Sequence, residues 1–315
     1  MTTTHTSMQV LVLSAIIALA GCGKDGDIDS PKEDVDIDNP GENVAIDNPV
    51  SGTTLQSDRT LVSGTFRGSA NTGITVNGVV ASIEGNRFYT NHVPLIPGLN
   101  TLTATLSTQE GATVTDQITL TREGSSPITV SAEPENGIAP LKVVFNLANN
   151  TGQTTQTISA DFNGDGVTDF TTTDTTTPLS YTYTLPGTYQ ASLTLTDIQN
   201  TRHSETVAIV VNDAEQMDKK FSAIWSGMNE ALIAKNSSAA LNALTTTAQT
   251  KYQPVFTALT PQLPKIIASY SPLQRISITG NIGEYAITRN DNGTSRLFFV
   301  YLIKDKDGVW RIDEM

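Results

Sequence analysis

One stretch of the sequence carries oxygen donors at the spacing of a calcium-binding loop. Asp161, Asn163, Asp165 and Asp169 occupy positions 1, 3, 5 and 9 of that loop, and Gly166 stands where a sharp turn is needed. Carboxylate and amide oxygens at alternate residues can converge on one hard cation. Position 12 is a threonine instead of a bidentate glutamate, and no helical pattern flanks the loop. Two interpretations stay open: a weak calcium site and a solvated hairpin loop.

A second set of candidate residues lies near the C-terminus and would bind a ligand in a pocket. The set combines aromatic side chains, which can line a cavity, with an arginine that can anchor an anion. Its members are Trp225, Tyr285, Arg289, Tyr301 and Trp310, and Tyr252 and Phe299 are further candidates for the lining. The alternative is that most of these aromatic residues belong to the hydrophobic core or to the surface.

Motifs for covalent catalysis or phosphate binding do not accompany these residues. The chain has no Gly-x-Ser-x-Gly elbow and no Gly-rich phosphate loop. His92 and His203 lie well before the C-terminal segment, and the pair Glu284 and Asp291 has no spacing that supports glycoside chemistry. We therefore expect no enzymatic activity and no cofactor besides calcium, with an enzyme or a small-ligand pocket at the C-terminus as the alternative.

The single cysteine, Cys22, follows an apolar run from Val10 to Ala20. That run is too short to span a bilayer of about 30 Å but has the length of a signal-peptide core. With the small residues before the cysteine, the stretch resembles the lipobox of bacterial lipoproteins. The resemblance implies that residues 1–21 are a signal peptide and that Cys22 carries acyl chains, among them palmitate. These chains would anchor the protein to a membrane. In such lipoproteins an aspartate after the cysteine commonly marks retention in the inner membrane, so Gly23 at that position favours the outer membrane. The resemblance does not indicate which face of that membrane the protein occupies.

Acidic residues follow the cysteine and set the charge of the chain. The net charge is −13, and residues 23–48 hold nine acids against two bases, which gives −7 for that segment. The motifs beginning at Asp27, Asp36 and Ala45 repeat every nine residues and end in proline. Like charges and prolines keep such a segment extended. We interpret residues 22–43 as a tether, and this acidity argues against nucleic acid as a partner.

Residues 44–123 have the pattern of an all-β module. Asn77-Gly78 between two apolar runs is a strong hairpin signal, and Leu102, Ala104 and Leu106 alternate on one face of a strand. The segment resembles bacterial immunoglobulin-like modules of the glucodextranase domain-B type. The resemblance rests on the following residues: Asn48-Pro49, Val62-Ser63-Gly64, Val76-Asn77-Gly78, Phe88 and Gly98-Leu99-Asn100-Thr101.

Residues 127–212 form a second β module, and it contains the candidate calcium loop. The segment resembles the polycystic-kidney-disease-type (PKD) domain, a β-sandwich that mediates protein or polysaccharide contact or acts as a spacer. The matching motifs are Gly137-Ile138-Ala139-Pro140-Leu141, Asp161–Gly166, Pro186-Gly187-Thr188-Tyr189 and Leu193-Thr194-Leu195. Ala160 stands where the family often has tryptophan, so a core aromatic residue is either missing or replaced from elsewhere in the segment, with Tyr181 as the candidate.

Residues 213–315 change to a helical period and then return to strands. Phe221, Ile224, Trp225, Met228 and Leu232 form one apolar stripe of a helix predicted from about 214 to 235. Ser237 or Ser238 is expected to cap a second helix, and an antiparallel meander follows the helices. The order resembles the cone-shaped nuclear-transport-factor-two-like and SnoaL-like fold, which can hold a pocket between helix and sheet.

The predicted fold is therefore multidomain: two immunoglobulin-like sandwiches followed by an α+β domain of helices and then an antiparallel meander. The predicted function is that of a lipid-anchored, non-enzymatic protein of the bacterial cell envelope, with an adhesive role. We expect the sandwiches to act as spacers and the C-terminal module, farthest along the chain from Cys22, to contact an envelope protein or a polysaccharide. Residues 213–315 carry eleven bases against ten acids and both tryptophans, which suits a contact surface.

Overall fold

The computed structural model describes residues 41–315 apart from residue 292, and Gly41–Met315 form one compact unit. Most of this unit is β-sandwich, and a helical segment lies near its C-terminus. Three hydrophobic clusters of buried side chains divide it into regions that we call the first sandwich (residues 43–122), the second sandwich (residues 128–212) and the C-terminal region (residues 214–315).

The first sandwich has two sheets, with strand orders β1-β3-β7-β6 and β2-β9-β8-β4-β5. Its strands are β1 (Asn43–Asn48), β2 (Thr54–Leu55), β3 (Arg59–Arg67), β4 (Gly73–Val76), β5 (Val79–Val80), β6 (Ser82–Glu84), β7 (Arg87–Pro94), β8 (Gly98–Ser107) and β9 (Thr113–Arg122). The predicted hairpin at Asn77-Gly78 is confirmed, since both residues have positive φ and join the paired strands β4 and β5. Leu102, Ala104 and Leu106 are fully buried between the sheets, as their alternation predicts.

The second sandwich also has two sheets, with orders β10-β12-β15 and β11-β17-β16-β13-β14. Its strands are β10 (Ile128–Glu133), β11 (Asn136–Ile138), β12 (Leu141–Asn149), β13 (Thr155–Asp161), β14 (Phe170–Thr172), β15 (Leu179–Tyr183), β16 (Gly187–Asp197) and β17 (Arg202–Asn212). Tyr181 stacks on Phe162 with ring centroids 4.8 Å apart, and Tyr183 continues the row. Tyr181 therefore packs, partly buried, against the same hydrophobic core that contains Ala160.

The C-terminal region places four helices before a four-stranded antiparallel meander in the order β18-β19-β20-β21. The elements are α1 (Ala214–Ile233), α2 (Ser237–Asn242), α3 (Thr246–Leu259), α4 (Leu263–Ile267), β18 (Gln274–Thr279), β19 (Ile282–Asp291), β20 (Thr294–Lys304) and β21 (Trp310–Glu314). The apolar stripe of α1 is buried, as predicted. The cap of α2 differs from the prediction: Asn236, one residue earlier than expected, accepts a hydrogen bond from the Ala239 N–H.

The first sandwich contacts both other regions through asparagine side chains that mimic a peptide group. The Asn71 amide donates to the Trp310 carbonyl (2.9 Å), and the Trp310 N–H donates to Asn71 Oδ1 (3.1 Å). The Asn91 amide makes the same reciprocal pair with the backbone of Ala208 (2.8 and 2.9 Å). Gly73 packs so closely on the 307–309 turn that a Cβ there would lie 2.3 Å from backbone atoms of that turn.

These contacts correct one expectation about arrangement. The C-terminal region follows the sandwiches along the chain, yet it packs on the first sandwich through Asn71 and Gly73. Ile138 of the second sandwich also packs against the C-terminal hydrophobic core. The sandwiches therefore do not hold the C-terminal region at the far end of a row of spacers.

Candidate functional site

A groove of about 440 Å³ opens on the C-terminal region between α1, α4 and the segment that leads into β18. The lining residues are Ser222, Trp225, Ser226, Asn229, Glu230, Ile233, Ile267, Tyr270, Ser271, Pro272 and Leu273. The six residues from α1 recur at three and four positions, which places them on one face of that helix. A volume of this size is typical of a site for a small organic molecule.

Two aromatic rings form the apolar part of the groove. The centroids of Trp225 and Tyr270 lie 5.9 Å apart, and the rings are tilted by 37°. Tyr270 is held in place because the next residue, Ser271, bonds twice to Thr288 of β19: the Ser271 N–H donates to the Thr288 carbonyl and Ser271 Oγ accepts from the Thr288 N–H, each at 2.8 Å. The meander therefore positions one wall of the groove and α1 the other.

Asn229 supplies a buried polar group to the same groove. Its side chain is only 7% exposed, and its Oδ1 has no hydrogen-bond partner among the described residues. A buried carbonyl oxygen without a donor costs about 1–3 kcal/mol. Asn229 Oδ1 has almost no accessible surface, so a ligand with an N–H or O–H group recovers this cost only if the Asn229 side chain turns toward the groove that it lines. The hydroxyls of Ser222, Ser226 and Ser271 add neutral donors and acceptors around it.

The structure does not bring the five predicted C-terminal residues together. Trp225 lines the groove, whereas Tyr285 and Trp310 pack edge-on against Phe221, with ring centroids 5.4 and 4.7 Å away, in a closed core. The Tyr285 hydroxyl donates to Asp218 Oδ1 (2.6 Å), and burial raises the pKa of that hydroxyl. Aromatic side chains fill the place of the predicted cone pocket, and neither Tyr285 nor Trp310 lines the groove.

Tyr301 and Arg289 lie on parts of the meander that do not line the groove. Tyr301 stands directly opposite Glu284 on the outer face of the meander, and its hydroxyl donates to Glu284 Oε1 (3.3 Å). Arg289 lies near the start of the β19–β20 turn, with its guanidinium carbon 5.8 Å from the centre of the Phe298 ring. Large apolar side chains are also exposed on this meander, each by 45–58% of its area: Ile276, Ile282, Leu297 and Phe299.

The carboxylates of the candidate calcium loop are directed at backbone N–H groups of the loop itself. The two oxygens of Asp161 accept from Gly164 (2.7 Å) and Gly166 (2.8 Å), and Asp169 Oδ2 accepts from Phe162 (2.7 Å). Within residues 41–315, no three acidic, histidine or cysteine side chains converge to hold a metal ion. The donor spacing is therefore used to brace a turn in this structure, and calcium binding at Asp165 and its neighbours stays a prediction.

Of the residues that line the groove, sequence reasoning named only Trp225. Trp225 and Asn229 are four residues apart on α1, so the helical period did contain the signal that a polar residue interrupts the apolar stripe. Tyr270 and Ser271 follow a short helix and carry no motif. Their position depends on pairing with β19, which the local sequence does not specify.

Cys22 lies outside the described residues, so lipidation there remains a prediction. Among the helices that the structure does describe, none is both long and apolar enough to cross a membrane.

Comparisons with known proteins do not identify a family for this chain. No protein-family model matches the chain, and no curated protein matches it. Three solved structures are similar over 55–57% of this chain. They are fibronectin(III)-like modules of CbhA from Clostridium thermocellum (14% identity, 96% of that chain, TM-score 0.23), dimeric latent PorU from Porphyromonas gingivalis (11%, 20%, 0.32) and carbohydrate-binding modules of the β-sandwich superfamily (19%, 56%, 0.24). The match thus spans about a fifth of the second structure and about half of the third, and at these TM-scores the similarities support no functional inference.

Proposed function

We propose that this chain is a non-enzymatic, lipid-anchored protein of the bacterial cell envelope whose C-terminal groove binds a neutral saccharide. The observation that carries the proposal is the combination of an aromatic wall with a buried, unpaired amide oxygen at Asn229. The first sandwich as an immunoglobulin-like module and the second as a PKD-type module belong to the same proposal. Their role is to support the groove and to connect it to the anchor.

The chemistry of the groove suits a sugar. A pyranose ring has an apolar face of C–H groups, which packs on aromatic rings, and hydroxyls at its edge, which are both donors and acceptors. Trp225 and Tyr270 offer the aromatic surface, and Asn229 offers the acceptor that needs a donor. A site built around an unmet hydrogen bond discriminates strongly against ligands that lack the matching group.

The charge of the groove selects against anions. Glu230 is the one charged residue among the described residues that line it, so a phosphate or an acidic sugar would meet repulsion without a compensating cation. Purely apolar ligands are also disfavoured because they would leave the Asn229 oxygen buried without a partner. A neutral, hydroxyl-rich ligand meets both conditions.

Membrane attachment rests on the N-terminal segment. Cys22 with its preceding apolar run supplies the attachment point, and the residues that follow it to 48 carry a net charge of −7. The proposed tether then leads directly into β1 (Asn43–Asn48) of the first sandwich.

The groove is tested by saccharide titration of the whole protein with tryptophan fluorescence as the signal. We expect neutral oligosaccharides such as chitotriose or maltotriose to shift the emission of Trp225, and Asn229→Ala to weaken that binding about tenfold, the equivalent of one buried hydrogen bond. Tyr270→Leu should weaken it similarly by removing the second ring. Phe299→Ser is the matched control, since Phe299 is an exposed aromatic residue of the same region and does not line the groove.

Two outcomes would reject the saccharide proposal. The first is the absence of any response to neutral sugars at millimolar concentration. The second is equal binding by the wild type and by Asn229→Ala. If Phe299→Ser is the variant that loses binding, the exposed apolar face of the meander is the contact surface instead.

A further inference from the structure

All three regions meet around a small internal cavity that is separate from the groove. Its polar lining comes from the first sandwich (Thr72 and Ser82), the second sandwich (Asn136 and Asn212) and the C-terminal region (Lys220 and Lys304). The space inside is about 20 Å³, enough for one particle of the size of a water molecule. A junction of separately folded layers is a common place for a bound ligand.

Two lysine side chains point into this junction without an acid to neutralise them. Neither ammonium group has an ion-pair or hydrogen-bond partner among the described residues. The carboxylates nearby in the sequence are engaged elsewhere, because Asp218 pairs with Arg275 (3.2 Å) and Asp307 pairs with Arg311 (2.7 Å). The Trp310 ring lies 5.6 Å from Lys304 Nζ and offsets part of one charge.

The charged forms of both lysines are disfavoured in this position. Burial lowers the pKa of Lys220, and burial together with the neighbouring charge of Lys220 lowers the pKa of Lys304 to about 8. Both lysine side chains are half-buried, and two like charges that face a space partly removed from water repel each other more strongly than in bulk water. The arrangement is unusual in a chain of net charge −13, which has an excess of carboxylates available for pairing.

Neutral hydrogen-bond donors complete the lining. The Ser82 hydroxyl and the Asn136 amide make no side-chain hydrogen bond to the described residues, and both face the same space as the lysines. Ammonium, hydroxyl and amide N–H groups are all donors, and an anion is the ligand that such a set recognises. A space of about 20 Å³ fits a monatomic anion better than it fits phosphate, sulfate or a larger carboxylate.

We propose that Lys220 and Lys304 hold a chloride-sized monovalent anion at the junction of the three regions. The anion neutralises the two ammonium groups, accepts from Ser82 or Asn136, and joins residues of all three regions through one ligand. Its occupancy therefore stabilises the assembled unit as a whole, independently of what the groove binds.

Thermal unfolding of the whole protein in chloride and in gluconate at equal ionic strength tests the proposal. Gluconate is too large for the cavity, so the comparison separates binding from general screening. At chloride about tenfold above its dissociation constant we expect the melting temperature to be a few degrees higher than in gluconate. Lys304→Met and Lys220→Met should each abolish this difference. Lys306→Met is the matched control, since Lys306 is an exposed lysine of the adjacent turn and should keep it.

A second measurement does not depend on variants that fold. Crystals of the wild-type protein grown in bromide should give an anomalous peak in the cavity between the two ammonium groups. The proposal is wrong if the wild type melts at the same temperature in both salts, if Lys306→Met loses the chloride effect as fully as Lys304→Met, or if bromide leaves no peak there.

Discussion

Replacing Asn71 with alanine should weaken the contact between the first sandwich and the C-terminal region, in which Gly73 would still pack on the 307–309 turn. Asn71 is 9% exposed, and its side chain makes three hydrogen bonds: two with the backbone of Trp310 and one to Gln109 Oε1 (2.9 Å). The alanine variant leaves the N–H and the carbonyl of Trp310 buried without partners. Each such group costs about 1–3 kcal/mol, so the sum lies between about 2 and 6 kcal/mol.

Water that enters the space left by the amide will recover part of this cost. We therefore expect the free energy of unfolding to fall by about 2–4 kcal/mol. With a urea m-value of about 3 kcal/mol/M for a unit of this size, the midpoint moves by about 1 M. Both tryptophans of the chain, Trp225 and Trp310, belong to the C-terminal region, so tryptophan fluorescence reports unfolding on the side of the interface that loses its partner.

Gln109→Ala is the control for this experiment. It removes one hydrogen bond of Asn71 and leaves both bonds to Trp310 in place, so we expect a loss of about 1 kcal/mol or less. The reasoning is refuted if Asn71→Ala is no more destabilising than Gln109→Ala. It is also refuted if the fluorescence midpoint of Asn71→Ala equals that of the wild type.

Three further predictions concern anchoring, calcium and pH. A palmitate analogue should label the wild type in cells, and Cys22→Ala should move the protein out of the membrane fraction; an unlabelled wild type would contradict this. If the loop donors bind calcium, melting should rise by a few degrees between chelator and 5 mM calcium, an assay concentration of about saturation for weak extracellular sites, and Asp165→Asn should remove the rise. An unchanged melting curve would leave the turn, in which the loop carboxylates accept backbone N–H groups, as the role of these residues. In gluconate, the free energy of unfolding should rise from pH 8 to about 10. Burial and the facing charge of Lys220 lower the pKa of Lys304 to about 8, so in this pH range the unfolded chain binds more protons than the folded protein does. Lys304→Met should flatten that rise.

Local signals in the sequence predicted the elements well. The Asn77-Gly78 turn is specified by the positive φ that both residues tolerate, and the apolar stripe of α1 is specified by its helical period. Both signals come from residues close together in the chain. The stacking of Tyr181 on Phe162 was suggested by a resemblance and not by a local signal, because Ala160 left room in the expected pattern for another aromatic residue.

Contacts between distant residues account for what the sequence did not predict. Asn71 and Trp310 are 239 positions apart, and nothing in either stretch marks the partner. Tertiary packing also explains why the predicted aromatic residues near the C-terminus do not share one site. Phe221 lies between α1 and the meander and packs against Tyr285 and Trp310, whereas Trp225 lines the groove. Residue type alone does not distinguish an aromatic residue that packs against the core from one that lines a groove.

The paired asparagine contacts have a consequence for how this protein can be divided. Trp310 belongs to the edge strand β21, and Ala208 belongs to a part of β17 that β11 does not cover, so each presents unpaired backbone groups at an edge. Asn71 and Asn91 satisfy those groups with side chains from the first sandwich. Residues 213–315 expressed alone would lose Asn71 as the partner of Trp310 and the cover of Ile138, although about 100 residues is an ordinary domain size. Ligand binding by the groove must therefore be measured on the whole chain, because a truncated C-terminal region would lack the contacts that keep β21 in place.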